Sequence, residues 1–154
     1  MAETIGFIGL GLMGQGMTKC LTRAGFRVTG FDIDPIKIKL ATEHGVIPAS
    51  NAQVVAEASD IILICVMTPS DLESAIFAKD GVAFGIRHSA IVVDHSTTPV
   101  DTTKLFATRL KKATDAGWID APVSGGPEKA AAGELAIMAG GEKGDITKVQ
   151  DVME

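Results

Sequence analysis

The sequence predicts an α/β fold built on a doubly wound, mainly parallel sheet, and three observations carry that prediction. Short apolar runs of strand length alternate with longer segments of helix length along the chain. The run from Asp60 to Val66 is too continuously apolar for a sheet with one wet face, and suits a parallel strand covered on both sides. The first apolar run leads straight into FIGLGLMGQGM, Phe7 to Met17, which holds four glycines in eleven residues.

Each element has its own signal. Thr4 to Ile8 reads as a buried strand, and Leu12 to Ala24 as a helix closed by Gly25. Arg27 to Phe31 is a second strand, stopped by Asp32-Ile33-Asp34-Pro35. Pro35 suits a first helical position with Asp34 as its N-cap, so a helix is expected to about His44, with Gly45 closing it. Val46-Ile47 forms a short third strand, and a helix runs from Ser50 to about Ala58. Beyond the run at Asp60 to Val66, Ser70-Asp71 cap a helix that reaches about Phe77. Ile91 to Asp94 is another buried strand and Pro99 to Thr114 another helix. Trp118 to Asp120 ends a strand, Pro122 to Pro127 forms a loop, and Glu134 to Ala139 alternates like a late strand. Asp145 to Met153 opens a further helix. Repeated β-α order implies right-handed crossovers. No repeat, low-complexity tract or linker divides the chain, so residues 1–154 read as one domain. The sequence stops in a helix with no cap and no following strand, and the natural chain is expected to continue.

Composition narrows the function. A chain of 154 residues can bury a real core, and 46% apolar with 21% charged residues is ordinary globular usage. A net charge of -5 leaves no basic excess to neutralise nucleic-acid phosphates. That does not exclude a small anion held by backbone amides. Cys20 and Cys65 read as small core residues, and no Cys/His spacing suggests a metal site. The longest apolar run, Ile61 to Met67, is too short to span a bilayer, and no secretory leader opens the chain. A cytoplasmic setting is expected.

Gly9, Gly11 and Gly14 form G-x-G-x-x-G between a strand and a helix, and a second strand ends in an acid, Asp32, 18 residues after Gly14. In this context the pattern is a dinucleotide-binding turn of the Rossmann type. Gly9 permits the tight turn, Gly11 lets a pyrophosphate approach the backbone, and Gly14 lets the helix pack closely. The N–H groups and dipole at the helix start then face the phosphates. Asp32 either ends a strand or accepts hydrogen bonds from the adenosine ribose. The latter role would place like charge against a 2′-phosphate, so NAD is preferred to NADP. Gly16, inside the helix, either relieves crowding near the ligand or is neutral drift.

The loop Asp120-Ala121-Pro122-Val123-Ser124-Gly125-Gly126 can turn several N–H groups and a hydroxyl toward an anion, or is a plain surface turn. FIGLGLMG, DHSTT (Asp94 to Thr98) and DAPVSGGPEKAAAGELAIMAGG (Asp120 to Gly141) together resemble the β-hydroxyacid dehydrogenase family. That family includes 3-hydroxyisobutyrate dehydrogenase and tartronate semialdehyde reductase, and the resemblance covers nearly the whole chain. The related 6-phosphogluconate dehydrogenases look less similar around the loop, and usually show an Asn-Arg turn where this chain has Asp32.

The resemblance implies an NAD-dependent oxidoreductase for a small 3-hydroxy acid. Gly9, Leu10, Gly11, Leu12, Met13, Gly14 and Asp32 would hold NAD. Met67 and Thr68, where the family often has Leu-Pro, would cover it, and Thr97 would lie near the nicotinamide ribose. Ser124, Gly125 and Gly126 would bind the carboxylate and hydroxyl of the substrate. Lys129 stands where the family usually has glycine and Glu134 where Thr or Asn is common; both either shift substrate preference or are solvated surface. His95 titrates in the right range for a base, but the resemblance places proton transfer on a lysine in a G-x-x-x-K-x-x-x-N pattern. No such pattern occurs here, so no catalytic residue is expected before Glu154 and little turnover from these residues alone. The last strand of the nucleotide domain and the all-helical second domain are likewise expected outside this chain. Full-length family members are commonly homo-oligomers. A non-catalytic NAD-binding module or sensor fits the same residues, while a flavoprotein or methyltransferase leaves DAPVSGG unexplained.

Overall fold

The computed structural model describes residues 3–154. Six parallel strands form its sheet: β1 (Thr4–Ile8), β2 (Arg27–Phe31), β3 (Ile47–Pro48), β4 (Ile61–Ile64), β5 (Ile91–Asp94) and β6 (Gly117–Asp120). Two residue pairs join a seventh strand, Gly140–Gly141, antiparallel to β6. The spatial order is β3-β2-β1-β4-β5-β6 and then that edge strand. The chain therefore reverses its direction of winding between β1 and β4, and the crevice above those strand ends is where this class of sheet takes ligands.

Helices cover both faces, which is why the strands are continuously apolar. One face carries α1 (Leu12–Arg23) and α2 (Pro35–Thr42); the other carries α3 (Ala52–Glu57), α4 (Pro69–Phe77), a 3₁₀ turn at Val82–Phe84, and α5 (Val100–Thr114). Alternation along β4 shows the division. Ile61 and Leu63 join Met17 and Leu21 of α1, whereas Ile62 and Ile64 join Val55, Leu72 and Phe106.

The termini of these elements follow from local chemistry. Asp34 accepts the Ile36 N–H (2.9 Å) ahead of Pro35, as expected. The cap of α3 is Asn51 rather than Ser50, and that of α4 is Thr68 rather than Ser70. Thr68 and Asp71 form a reciprocal capping box with Pro69 at the first helical position. α2 stops at Thr42, two residues before His44, and Gly45 follows at φ +99°. β4 ends at Ile64, before the predicted Val66, because the Val66 N–H leaves the sheet ladder for the Ser96 hydroxyl (3.0 Å).

The region after β6 differs most from expectation. Val123–Ser124 is a short strand, β7, and Gly126–Ala132 is a helix, α6. The expected late strand shrinks to β8 (Ala136–Ile137), which pairs with β7 outside the main sheet, and β9 (Gly140–Gly141) is the edge strand. α7 (Lys143–Met153) is the last element among the described residues, starting two residues before the expected Asp145. α6 has Pro127 in its first turn and Gly133 at φ +75° as its C-cap, both ordinary helix boundaries. The density of glycine and proline concealed a helix only seven residues long.

α6 packs directly on α1, and this contact explains Gly16. A Cβ at Gly16 would stand 2.9 Å from both the Ala130 Cβ and the Ala131 backbone nitrogen. Gly16 thus allows two helices to touch. Gly16→Ala is expected to lower unfolding stability by about 1–2 kcal/mol through overpacking, even though alanine is intrinsically better in a helix by about 1 kcal/mol. Urea denaturation of the two proteins measures this directly.

Candidate dinucleotide-binding site

The glycine turn leaves β1 at Gly9, whose φ is +94° and whose N–H donates to the Phe31 carbonyl (3.0 Å). A Cβ here would collide with the Cys65 carbonyl, and one at Gly14 would collide with the Gly9 carbonyl. These two glycines answer to the protein's own packing. Gly11 is different: nothing lies within 4 Å of where its Cβ would be. It is also the N-cap of α1 and supplies no capping side chain, so the first N–H groups of the helix face the open side.

Leu10 carries no contact surface for a ligand. Its side chain is fully buried, its N–H donates to Asp32 Oδ2 (2.7 Å), and its carbonyl accepts from Gln15 Nε2 (2.9 Å). Asp32 Oδ1 accepts the Asp34 N–H (2.8 Å). Two backbone donors thus orient this half-buried carboxylate, and lone pairs remain on each oxygen for hydroxyl donors.

Gly9, Asp32 and Met67 line one cleft of about 560 Å³, together with Ile33, Lys37 and Lys79. Ile33 and Met67 are about nine-tenths exposed on its rim. Leu12 is also exposed and Met13 partly buried at the start of α1. Thr68 lies beside the cleft, but its hydroxyl is committed to the capping box of α4. Thr97 and Ser124 are exposed beyond the carboxyl ends of β5 and β6, at the same edge of the sheet but outside this cleft. Gly125 and Gly126 follow at φ +143° and +77°, in backbone regions that favour glycine. A Cβ on Gly125 would press on the side chains of Lys129 and Leu135, whereas Gly126 opens to free space. The stem of Lys129 thus lies against Gly125, and both Lys129 and Glu134 are exposed.

A buried polar framework supports these loops. Asp94 is fully buried and accepts from the Ser96 N–H (2.9 Å) and Thr98 Oγ1 (2.9 Å). Burial pushes its carboxyl above the usual range, those hydrogen bonds oppose the shift, and neighbouring Asp120 adds to it. Asp120 stands in register with Asp94 on the next strand, and burial raises its carboxyl too. Among the described residues, Asp120 Oδ1 is the buried side-chain atom with no hydrogen-bond partner. His95 is 4% exposed, and burial lowers its pKa, so the ring is neutral. Its Nδ1–H donates to the Ala121 carbonyl (2.8 Å). His95 is thus a strut between β5 and the loop after β6, not a base facing the cleft. His44 is half-buried against the Thr18 hydroxyl (2.9 Å). Burial pushes the Cys65 thiol up to about 11, consistent with an inert core residue. The described residues hold no His/Cys/Asp/Glu cluster suited to a metal, and no helix long and apolar enough to cross a membrane.

Sequence order, glycine turn and cleft define a dinucleotide-binding domain of the Rossmann type. More particularly, the chain belongs to the family described as the NAD binding domain of 6-phosphogluconate dehydrogenase, whose model matches residues 4–154. Among curated relatives, it is 31% identical over 153 residues to L-threonate dehydrogenase of Cupriavidus necator, covering 99% of this chain and 51% of that protein. It is 35% identical over 150 residues to 2-hydroxy-3-oxopropionate reductase of Escherichia coli, covering 97% and 51% respectively. The solved structure of Mycobacterium tuberculosis 3-hydroxyisobutyrate dehydrogenase with L-serine superposes with a TM-score of 0.93 at 31% identity, over 100% of this chain and 52% of that one. The chain spans about half the length of these relatives.

The neutral state of His95 has a consequence for stability. Its folded pKa lies below the ordinary value near 6.5. The stability it contributes is therefore present above pH 6.5 and is lost as pH falls toward the folded value, by up to about 1.4 kcal/mol per pH unit. His95→Asn keeps a donor for the Ala121 carbonyl without a titrating ring. Denaturation between pH 7.5 and 5.5 is expected to show a shallower loss in the variant; the residual slope includes His44, which burial shifts in the same direction.

Proposed function

We propose that this chain is the cofactor-binding part of an NAD-dependent oxidoreductase that acts on a small 3-hydroxy acid. The observation that carries the reading is the junction of the glycine turn with Asp32: Gly11 open to free space, and a carboxylate held 2.7 Å from the turn's own Leu10 N–H. When bound, NAD supplies the hydride acceptor of the reaction. The open N–H groups at the start of α1 suit its pyrophosphate, and the remaining lone pairs of Asp32 suit the ribose hydroxyls. A 2′-phosphate would bring two further negative charges toward that carboxylate, which favours NAD over NADP. Ile33 and Met67 flank the cleft with apolar surface fit for a base.

Thr97 and the Ser124-Gly125-Gly126 turn are the residues we assign to the reacting end. The Ser124 hydroxyl and the free N–H groups of the glycine turn orient a carboxylate, which places the hydroxyl-bearing carbon. His95 is unavailable as the base; the family resemblance implies that proton exchange belongs to a lysine in a motif these 154 residues do not contain. L-threonate dehydrogenase, 2-(hydroxymethyl)glutarate dehydrogenase, 2-hydroxy-3-oxopropionate reductase and mouse 3-hydroxyisobutyrate dehydrogenase match the chain over 44–51% of their length, which supports the substrate class.

The test is titration of the chain with NADH and NADPH, followed by nucleotide fluorescence. NADH is expected to bind more tightly. Asp32→Ala should weaken NADH by about 10- to 100-fold, the equivalent of charge-assisted hydrogen bonds worth roughly 1.5–3 kcal/mol. Absence of NADH binding in a chain that still unfolds cooperatively would sink the proposal.

A further inference from the structure

Gln15, on the first turns of α1, uses one atom to hold two parts of the site. Its Nε2 donates to the Leu10 carbonyl (2.9 Å) and to the Lys37 carbonyl of α2 (2.8 Å). Both partners are carbonyl oxygens, so the amide nitrogen must face them. Leu10 in turn donates to Asp32, Asp32 accepts the Asp34 N–H, and Asp34 accepts the Ile36 N–H at the start of α2. The bonds close a ring that runs from the glycine turn through the carboxylate into α2, and back through Gln15.

The ring matters because α2 has little else to fix it. Of its eight residues only Ala41 is buried and only Ile38 packs partly buried against the core, so packing alone holds it weakly. With Gln15 removed, α2 and the Asp32–Asp34 turn that enters it lose a tether to the glycine turn. Hydrogen bonds to the ribose hydroxyls weaken steeply with displacement, whereas charge repulsion falls only gradually with distance.

Resting on the dinucleotide reading above, we propose that Gln15 is a positioning residue: it fixes the separation between the glycine turn and Asp32, and so sets the preference for a free 2′-hydroxyl over a 2′-phosphate. Gln15→Met preserves length and helix propensity but neither donates nor accepts strongly. NADH binding to this variant is expected to weaken by about fivefold or more, while NADPH changes less, so that their affinity ratio narrows by at least about threefold. A merely structural role would weaken both nucleotides equally and leave the ratio intact. Gln15→Glu, which presents a carboxylate to two carbonyls, should narrow the ratio at least as far. In the ligand-free variants, the Leu10 and Asp34 amides should exchange hydrogen faster while those of β4 do not.

The outcomes separate cleanly. If the parent chain binds no NADH, the dinucleotide reading fails and takes this inference with it. If the parent binds NADH but does not discriminate against NADPH, or both variants keep the parent ratio and amide protection, the inference fails while the dinucleotide reading stands.

Discussion

Backbone-to-backbone contact at Gly9 is the constraint on which the rest of the structure depends. The Gly9 N–H reaches the Phe31 carbonyl of β2, a Cβ there would strike the Cys65 carbonyl after β4, and Gly14 of α1 rests on the Gly9 carbonyl. Three strands and a helix meet at one residue with no side chain between them. That convergence brings the start of α1 to the point where the sheet reverses its winding. It also brings the Leu10 N–H within reach of a carboxylate 22 residues away in sequence. A bulkier residue at the turn would separate these elements and dissolve the relation between turn and acid.

Much of this was legible in the sequence, because the determinants are local. Continuous apolar runs marked buried parallel strands, Asp34-Pro35 marked the start of α2, and Gly9-x-Gly11-x-x-Gly14 marked the turn. What escaped depended on contacts between distant segments. Gly16 looked optional until α6 was found lying on it, and α6 was hidden among residues that usually denote loops. The alternation at Glu134 to Ala139 was real, but its partner was β7 rather than the main sheet, and periodicity does not name a partner. Gln15 carried no signal at all. An exposed-looking glutamine on a helix acquires meaning only from the two carbonyls it meets.

His95 and Asp94 show how burial redirects chemistry. Both lie in a segment rich in reactive side chains, at the carboxyl end of a strand where ligands commonly bind. Yet strand ends also leave backbone groups that need partners. Ser96 takes the Val66 N–H, His95 takes the Ala121 carbonyl, and Asp94 gathers Ser96 and Thr98. These polar residues therefore brace the loops from below, and the groups left exposed above them are Thr97 and Ser124.

The two halves of the site are consequently built on different principles. Around Asp32, every connection passes through a closed ring of backbone and side-chain hydrogen bonds, which fixes geometry before any ligand arrives. Around Ser124, the framework is buried but Thr97 and Ser124 are exposed, and Ser124 leads into two glycines with positive φ. Under the proposed function this division suits two different tasks. Recognition of an invariant adenosine gains from rigidity, since preorganised groups lose less entropy on binding. Recognition of the substrate must vary between enzymes that share this domain, and a loop seated on a fixed scaffold can change its exposed residues without disturbing the cofactor half. Conserving one fold across dehydrogenases of different hydroxy acids then requires only that the loop after β6 and whatever packs over it be altered.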